Sequence, residues 1–389
     1  MKIAQVAPLH ERVPPKTYGG TERVVHYLVE ALVRKGHEVT LFASGDAQTS
    51  AELRPVIPEA IRLAPVARDP LPWHLLQLAQ VAREAEDFDV IHFHTDLLHL
   101  PLWRYRATPH LTTLHGRLDL PDLKPIYTEF SEAPVVSIAD HQREPLPMAG
   151  WIGTVYNGLP RDAYTFRADP GDYLVFLGRL SPEKGAEDAI DIALAAGIPL
   201  KMAGKVDIVD KAYFADRIRP KLEHPLIELV GEVDEAGKNE LLGGALAMLF
   251  PIAWPEPFGL VMIESMACGT PVVAYPRGSV PEILRDGETG FLVDSVPAAV
   301  QALRRILQLD RRRCREEFAR RFTAERMAED YLALYADRIR EHAAPPTALG
   351  RLSGPSTARD AAPAPLPDTP LTAHEAGAED FRRVPASGH

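Results

Sequence analysis

The sequence predicts an α/β chain of two doubly wound, Rossmann-like domains facing across a cleft. Three observations carry that expectation. Short apolar runs alternate with longer stretches of helical period through most of the chain. The alternation stops near residue 160 and starts afresh at Asp172. Glycine-bearing loops with charged residues follow the apolar runs. Apolar strands separated by helices form parallel sheets that are buried on both faces, and such sheets bind ligands at the carboxyl ends of their strands.

The first series begins with KIAQVAP (2–8), a buried strand. Thr21 to Lys35 reads as a helix, because Val24, Val25, Leu28, Leu32 and Val33 form an apolar stripe ended by Gly36. HEVTLFAS (37–44), DVIHFHT (89–95), HLTTLHG (110–116) and PVVSIAD (134–140) read as further strands with helical stretches between them. The second series opens with the strand YLVFLGRL (173–180) and a helix from Ala186 to Ala196. PLKMAGKV (199–206), LIELVGEV (226–233), LAMLFPI (246–252) and TPVVAYP (270–276) continue it, and helices over 297–309 and 324–340 close it. Gly, Pro and Asp gather at the join, over 158–171. The expected units are 1–160, 161–322, a closing helix over 323–342, and a tail over 343–389 whose Pro, Ala, Ser and Thr bury too little to become ordered.

Composition narrows the function classes. A chain of 389 residues suits two domains plus a remainder. With 46% hydrophobic and 25% charged residues it has the balance of a globular protein. A formal net charge of -11 argues against general nucleic-acid binding, which needs a basic footprint, and gives no indication of a membrane-docking face. Two cysteines, Cys268 and Cys314, are too few for a disulfide framework or a cysteine metal site, so a reducing cytoplasm is expected. The N-terminus lacks the apolar stretch of a signal peptide, and no apolar run is long enough to cross a bilayer.

The chemistry should therefore sit just after the strands. Tyr18-Gly19-Gly20-Thr21-Glu22 opens a helix, where glycines let backbone approach a ligand and free N–H groups face an anion. The same residues also fit a plain glycine turn capped by Thr21. In GRLSPEKG (178–185), Arg179 at the strand exit and Lys184 in the following loop can clamp two phosphates, or can be solvated loop cations. In PEPFGLVMIESMACGTPVVA (255–274), Glu256 precedes an apolar helix and Glu264 lies inside it. Eight positions are about two helical turns, so both carboxylates can serve one end of a ligand. The N–H groups near Phe258, Gly259 and Leu260 add an anion site. Glu264 has the apolar neighbours Val261, Met262, Ile263 and Met266, so burial would require it to have a partner. His115, followed by Gly116, ends a strand and should face the cleft. His92 and His94 also end a strand, but no third ligand has the spacing of a zinc site, so no metal is expected.

Taken together and in order, these segments resemble the family 4 retaining glycosyltransferases, whose fold is the two-domain GT-B architecture. The resemblance runs over nearly all of residues 1–340. It rests most on the two glutamates of EPFGLVMIESMACGTPVVA, then on GRLSPEKG, with support from GGTE, HFH, TLHG and VYNGLP. It implies an acceptor-binding first domain, a nucleotide-sugar-binding second domain, and a closing helix that crosses back to the first. It implies that Gly19 and Gly20 let the loop approach the donor diphosphate, which Arg179 and Lys184 bind. Glu256 would hold the donor sugar's hydroxyls, Glu264 the ribose hydroxyls, and His115 the sugar or its reacting region. Backbone near Glu232 and Val233 would flank the base, and Asn157 matches an asparagine at the join. Two departures touch the donor pocket: His115 is followed by Gly where many relatives have Asp, and MAGKVD (202–207) stands where a glycine pair is usual.

The implied reaction is metal-independent, cofactor-free transfer from a nucleotide sugar to a saccharide or small-molecule hydroxyl. A UDP- or GDP-linked donor is expected ahead of an ADP-linked one. Rival readings are a GT-B nucleotide-sugar epimerase and a non-catalytic nucleotide-sugar-binding partner subunit. A phosphorylase would need a pyridoxal-binding lysine motif, and a dinucleotide oxidoreductase a Gly-x-Gly-x-x-Gly turn; neither is visible.

Overall fold

The structure is a computed structural model that describes residues 1–16, 19–64 and 69–343. Tyr18 of the first glycine loop, part of the proline-bearing stretch 55–70, and the tail from 344 onward lie outside the described residues.

The described chain contains two parallel sheets. The first is built from β1 (Lys2–Val6), β2 (Glu38–Ala43), β3 (Glu52–Pro55), β4 (Val90–Phe93), β5 (His110–Thr113), β6 (Val135–Ser137) and β7 (Trp151–Thr154). Their order is β3-β2-β1-β4-β5-β6-β7, with every pairing parallel. The second is built from β8 (Leu174–Leu177), β9 (Leu200–Ala203), β10 (Ile227–Gly231), β11 (Ala247–Phe250), β12 (Val272–Ala274) and β13 (Gly290–Leu292). Their order is β10-β9-β8-β11-β12-β13, again parallel throughout. The expected α/β class with two doubly wound sheets is the observed one. The order reverses direction between β1 and β4 in the first sheet and between β8 and β11 in the second. At such points the loops diverge to opposite faces and leave a crevice.

Helices cover the sheets. The first half carries α1 (Gly20–Arg34), α2 (Pro70–Glu84), α3 (Leu100–Trp103) and α4 (Leu123–Glu129). The second carries α5 (Ala186–Ala196), α6 (Lys211–Tyr213), α7 (Glu235–Gly243), α8 (Leu260–Ala267), α9 (Val280–Ile283), α10 (Val296–Leu303) and α11 (Arg311–Arg321). α12 (Ala324–Ala343) then packs on α1, β4 and β5 of the first half. Leu159 N–H donates to the Phe322 carbonyl at 2.9 Å, and Ala324 N–H donates to the Leu159 carbonyl at 2.8 Å, tying the start of α12 to the earlier join. Gly158 permits that approach, because a Cβ there would lie 2.3 Å from the Thr323 carbonyl oxygen. One apolar cluster, which includes Val24, Phe258, Phe322 and Tyr331, runs through both halves.

Several elements differ from the expectation. β3, β7, β13 and α11 were not foreseen. The helix read over 297–309 is α10 followed by a 3-10 turn at Ile306–Gln308. α12 continues to Ala343, one residue into the segment read as tail. No helix among the described residues is long and apolar enough to cross a membrane.

Candidate functional site

The two switch points open onto one cleft of about 510 Å³. From the first half it is lined by the start of α1 (Gly19, Gly20, Thr21, Arg23), by His115 to Arg117 after β5, and by Asn157. From the second it is lined by Arg179 after β8, Lys184, Gly204 and Lys205 after β9, Glu232 and Val233 after β10, and the run from Glu256 to Glu264. Every described residue that the sequence singled out for this site lines that cleft: Gly19, Gly20, His115, Asn157, Arg179, Lys184, Glu232, Val233, Glu256, Phe258, Gly259, Leu260 and Glu264.

The strand-end loops are held by glycine. Gly19 before α1 has φ 152° and Gly259 before α8 has φ 79°, conformations that L side chains rarely adopt. Neither helix has a side-chain cap hydrogen bond. The first N–H groups of α1 and α8 therefore remain available to an anion.

Lys184 and Glu256 form the centre of the site. Lys184 Nζ lies 2.6 Å from Glu256 Oε2, and the Trp254 indole N–H donates to the same oxygen at 2.9 Å. Glu256 is buried, and Lys184 Nζ also stands 5.0 Å from the centre of the Trp254 ring. Arg117 approaches that ring from the other half of the chain at 5.5 Å. Arg179 is held less simply than two free cations would require. It bonds Glu183, and lies 3.3 Å from Asp207 and 3.5 Å from Asp210, so three carboxylates orient it at the pocket wall.

Glu264 is 2% exposed and has the partner that its apolar surroundings require: Lys238 Nζ at 2.8 Å. Lys238 also meets Glu235 at 2.7 Å, and Glu235 pairs across the cleft with Arg23 on α1. Burial opposes the charge on Lys238, but Glu264 and Glu235 outweigh it and hold the ammonium's pKa above its ordinary value. The second oxygen of Glu264 and the side-chain oxygen of Asn157 are buried without a partner among the described residues. Buried acceptors of this kind fit ligand hydroxyls or amides.

His115 is joined to a buried chain of polar groups. Its Nε2 lies 2.8 Å from His94 Nδ1, and His94 Nε2 lies 2.9 Å from Gln5 Oε1. Burial pushes the His115 ring down to about 4 and holds the His94 ring well below its ordinary value, so both are neutral at pH 7. His92 is a core residue in the same chain, with its ring bonded to Tyr335 at 2.8 Å and to Thr113 at 2.7 Å.

The sequence reading did not name Arg23, Lys238, Trp254, Lys205 or Arg117. Trp254 had a signal, since it stands two residues before Glu256 and next to a proline. Arg23 and Lys238 had none, because only folding brings α1 and α7 together.

Residues 165–323 match the family described as Glycosyl transferases group 1, and residues 18–141 match Glycosyltransferase Family 4. Phosphatidyl-myo-inositol mannosyltransferase of Mycobacterium leprae is 26% identical over 336 residues, covering 78% of this chain and 86% of the relative. Glycogen synthase of Mycobacterium tuberculosis is 27% identical over 387 residues, covering 82% of this chain and 92% of the relative. Among solved structures, Anabaena Alr3699/HepE in complex with UDP and glucose overlays with a TM-score of 0.66 at 17% identity, over 86% of this chain and 99% of that one; this likeness concerns the fold.

Proposed function

Because the chain belongs to the group 1, family 4 glycosyltransferases, we propose that it is a retaining enzyme moving a sugar from a nucleoside-diphosphate donor to a hydroxyl acceptor. The observation that carries this reading is the convergence of Lys184, Arg179 and the starts of α1 and α8 with the paired acids Glu256 and Glu264 on one cleft.

Cations and helix N-termini suit a diphosphate, and buried carboxylates suit hydroxyls. In this reading the diphosphate lies between Gly19, Gly20, Arg179 and Lys184. Glu256 takes the sugar hydroxyls and Glu264 the ribose hydroxyls. Glu232 and Val233 flank the base, and His115 faces the sugar. A UDP- or GDP-linked donor is the first to test. The acceptor, a saccharide or small molecule, enters from the first half.

The bond that breaks joins the anomeric carbon to a phosphate oxygen, which keeps the electron pair. The acceptor oxygen bonds the same face of that carbon, and its proton passes to the departing diphosphate oxygen. Positive charge grows on the ring and negative charge on the leaving group. Lys184, Arg179 and the helix starts meet the negative charge without rearranging, so no metal ion is assigned a role. Preorganised charges of this kind dominate many rate enhancements. Glu256 is paired with Lys184 and Trp254 and serves as a positioning carboxylate.

The test is turnover of nucleotide sugars with a panel of saccharide acceptors, in the presence of a chelator, reading free nucleotide and product anomer. Free nucleoside diphosphate with a product of unchanged anomeric configuration supports the reading. A product still carrying its nucleotide would make the enzyme an epimerase, and no turnover of any donor would leave a binding subunit.

A further inference from the structure

With the Gln5 amide nitrogen turned to Tyr335, the buried chain behind His115 has one direction of proton donation. Gln5 Nε2 donates to the Tyr335 hydroxyl at 2.9 Å, so that hydroxyl's own proton goes to His92 Nδ1, 2.8 Å away. His92 must then donate from Nε2 to Thr113 at 2.7 Å, and Thr113 in turn can donate to Tyr331 at 2.8 Å. On the other side, Gln5 presents its carbonyl oxygen to His94 Nε2. A carbonyl oxygen can only accept, so His94 carries its proton on Nε2 and its Nδ1 is a lone pair. The neighbouring nitrogen, His115 Nε2, must carry the proton that fills it. A neutral imidazole has one N–H, so His115 Nδ1 is a lone pair. Among the described residues that atom has no hydrogen-bond partner, and its ring lines the cleft. No proton in the chain is used twice, and each member except His115 is buried.

We propose that Gln5, anchored by Tyr335 of the crossing helix α12, is a positioning residue that acts through His94 to fix His115 as its Nε2–H tautomer, so that the site offers Nδ1 as an acceptor for a donor-sugar hydroxyl. The inference rests on the donor-sugar reading for its ligand, but the tautomer is a property of the protein alone. The opposite direction of donation would turn His115 into an N–H donor and would favour a phosphate oxygen or carbonyl in that place. Cations and helix N–H groups already meet the diphosphate, and an acceptor complements sugar hydroxyls. Pairing of the ring by a second residue is the usual way that one tautomer is selected.

The experiment is nitrogen NMR of the histidine rings in the ligand-free full chain, with His115 assigned by the signal lost in His115→Ala. The expected wild-type spectrum has His115 protonated at Nε2 and bare at Nδ1. Gln5→Met removes the amide that sets the direction, and Tyr335→Phe removes its anchor while keeping the ring. In each, a second His115 tautomer is expected, with donor affinity lower by about 5- to 10-fold, the worth of roughly one hydrogen bond. A wild-type His115 protonated at Nδ1 overturns the proposal. So does a Gln5→Met protein whose His115 signals match wild type. Absence of sugar transfer with the expected tautomer would instead overturn the functional reading and leave the tautomer assignment standing.

Discussion

The ammonium of Lys184 and the carboxylate of Glu256 meet at 2.6 Å across the mouth of β8 and β11. The cation proposed to meet the diphosphate and the acid proposed to meet the sugar therefore hold each other in this structure. Each keeps the other's charge compensated in a place where an unpaired charge would be costly. In the proposed reading a donor sets its phosphate beside the ammonium and its hydroxyls beside the carboxylate.

Loss of that pair should be felt in turnover. Lys184→Ala and Glu256→Gln are each expected to lower kcat by about 100- to 1,000-fold, the range for removing one preorganised transition-state contact. Circular dichroism should report an unchanged fold. Near-normal kcat in either variant would remove its residue from the reacting centre.

Glu264 should behave differently. In the proposed reading it holds the ribose alike in ground state and transition state, so its loss should raise KM more than it lowers kcat. Glu264→Gln keeps the shape and leaves Lys238 with Glu235. Donor KM is expected to rise by about 10-fold, one hydrogen bond to a charged group, with kcat within a few-fold of wild type. A kcat loss without a KM change in steady-state kinetics would contradict the assignment.

The histidines set an acid limit on stability. Burial lowers the rings of His92, His94 and His99 well below 6.5, and those of His110 and His115 to about 4. Below pH 6.5 the unfolded chain takes up protons that the folded chain refuses, so stability falls as the pH drops. Each such ring adds a slope approaching about 1.4 kcal/mol per pH unit. Asp96, whose surface is exposed but whose carboxyl is raised from 3.8 to about 6 by desolvation from the surrounding protein, acts with the opposite sign: its contribution is present below 3.8 and lost as pH rises through 6. Five rings outweigh it. The melting temperature should be flat from pH 7 to 8 and fall between about pH 6.5 and 5. A higher melting temperature at pH 5 than at pH 7.5 would contradict the pattern.

Backbone contact shapes the wall of the cleft at Gly204. Its φ is 154°, and a Cβ there would sit 1.8 Å from the carbonyl oxygen of Gly178. Gly204→Ala is expected to cost about 3 kcal/mol in urea unfolding, from strain and overpacking together. Gly116 also lines the cleft, but a Cβ there meets nothing within 4 Å, so Gly116→Ala should leave stability unchanged. Equal effects of the two changes would discount the close approach.

These positions also mark where sequence reading succeeds and stops. The central strands were legible because they are continuous apolar runs, as in LVFL and AMLF, buried on both faces. Most of the cleft-lining residues singled out in the sequence were legible because they lie in the loops after such runs. Three of the four edge strands, β3, β7 and β13, were not. β3 reads ELRP and is at least partly exposed along its length, while β13 has only three residues. α11 reads RRRCREEFARR, with too few apolar positions to form a stripe. Its Arg311 is spent inside instead, donating to the carbonyls of Arg167, Gly243 and Ala245. Arg23, Lys238 and the His115 chain escaped for a different reason. Their meaning depends on contacts between α1 and α7, or between β1, β4 and α12, that no local period encodes.

The central claim is that the cleft grips a nucleoside diphosphate through Lys184 and Arg179. Thermal unfolding of the wild type, Lys184→Ala and Arg179→Ala with UDP, GDP and ADP and their sugars tests it without any acceptor, since a ligand that binds the folded state raises the midpoint by mass action. The account expects at least one nucleotide series to raise the wild-type midpoint, and both variants to lose most of that rise. A wild type indifferent to all three series, or variants that respond as fully as the wild type, would contradict it.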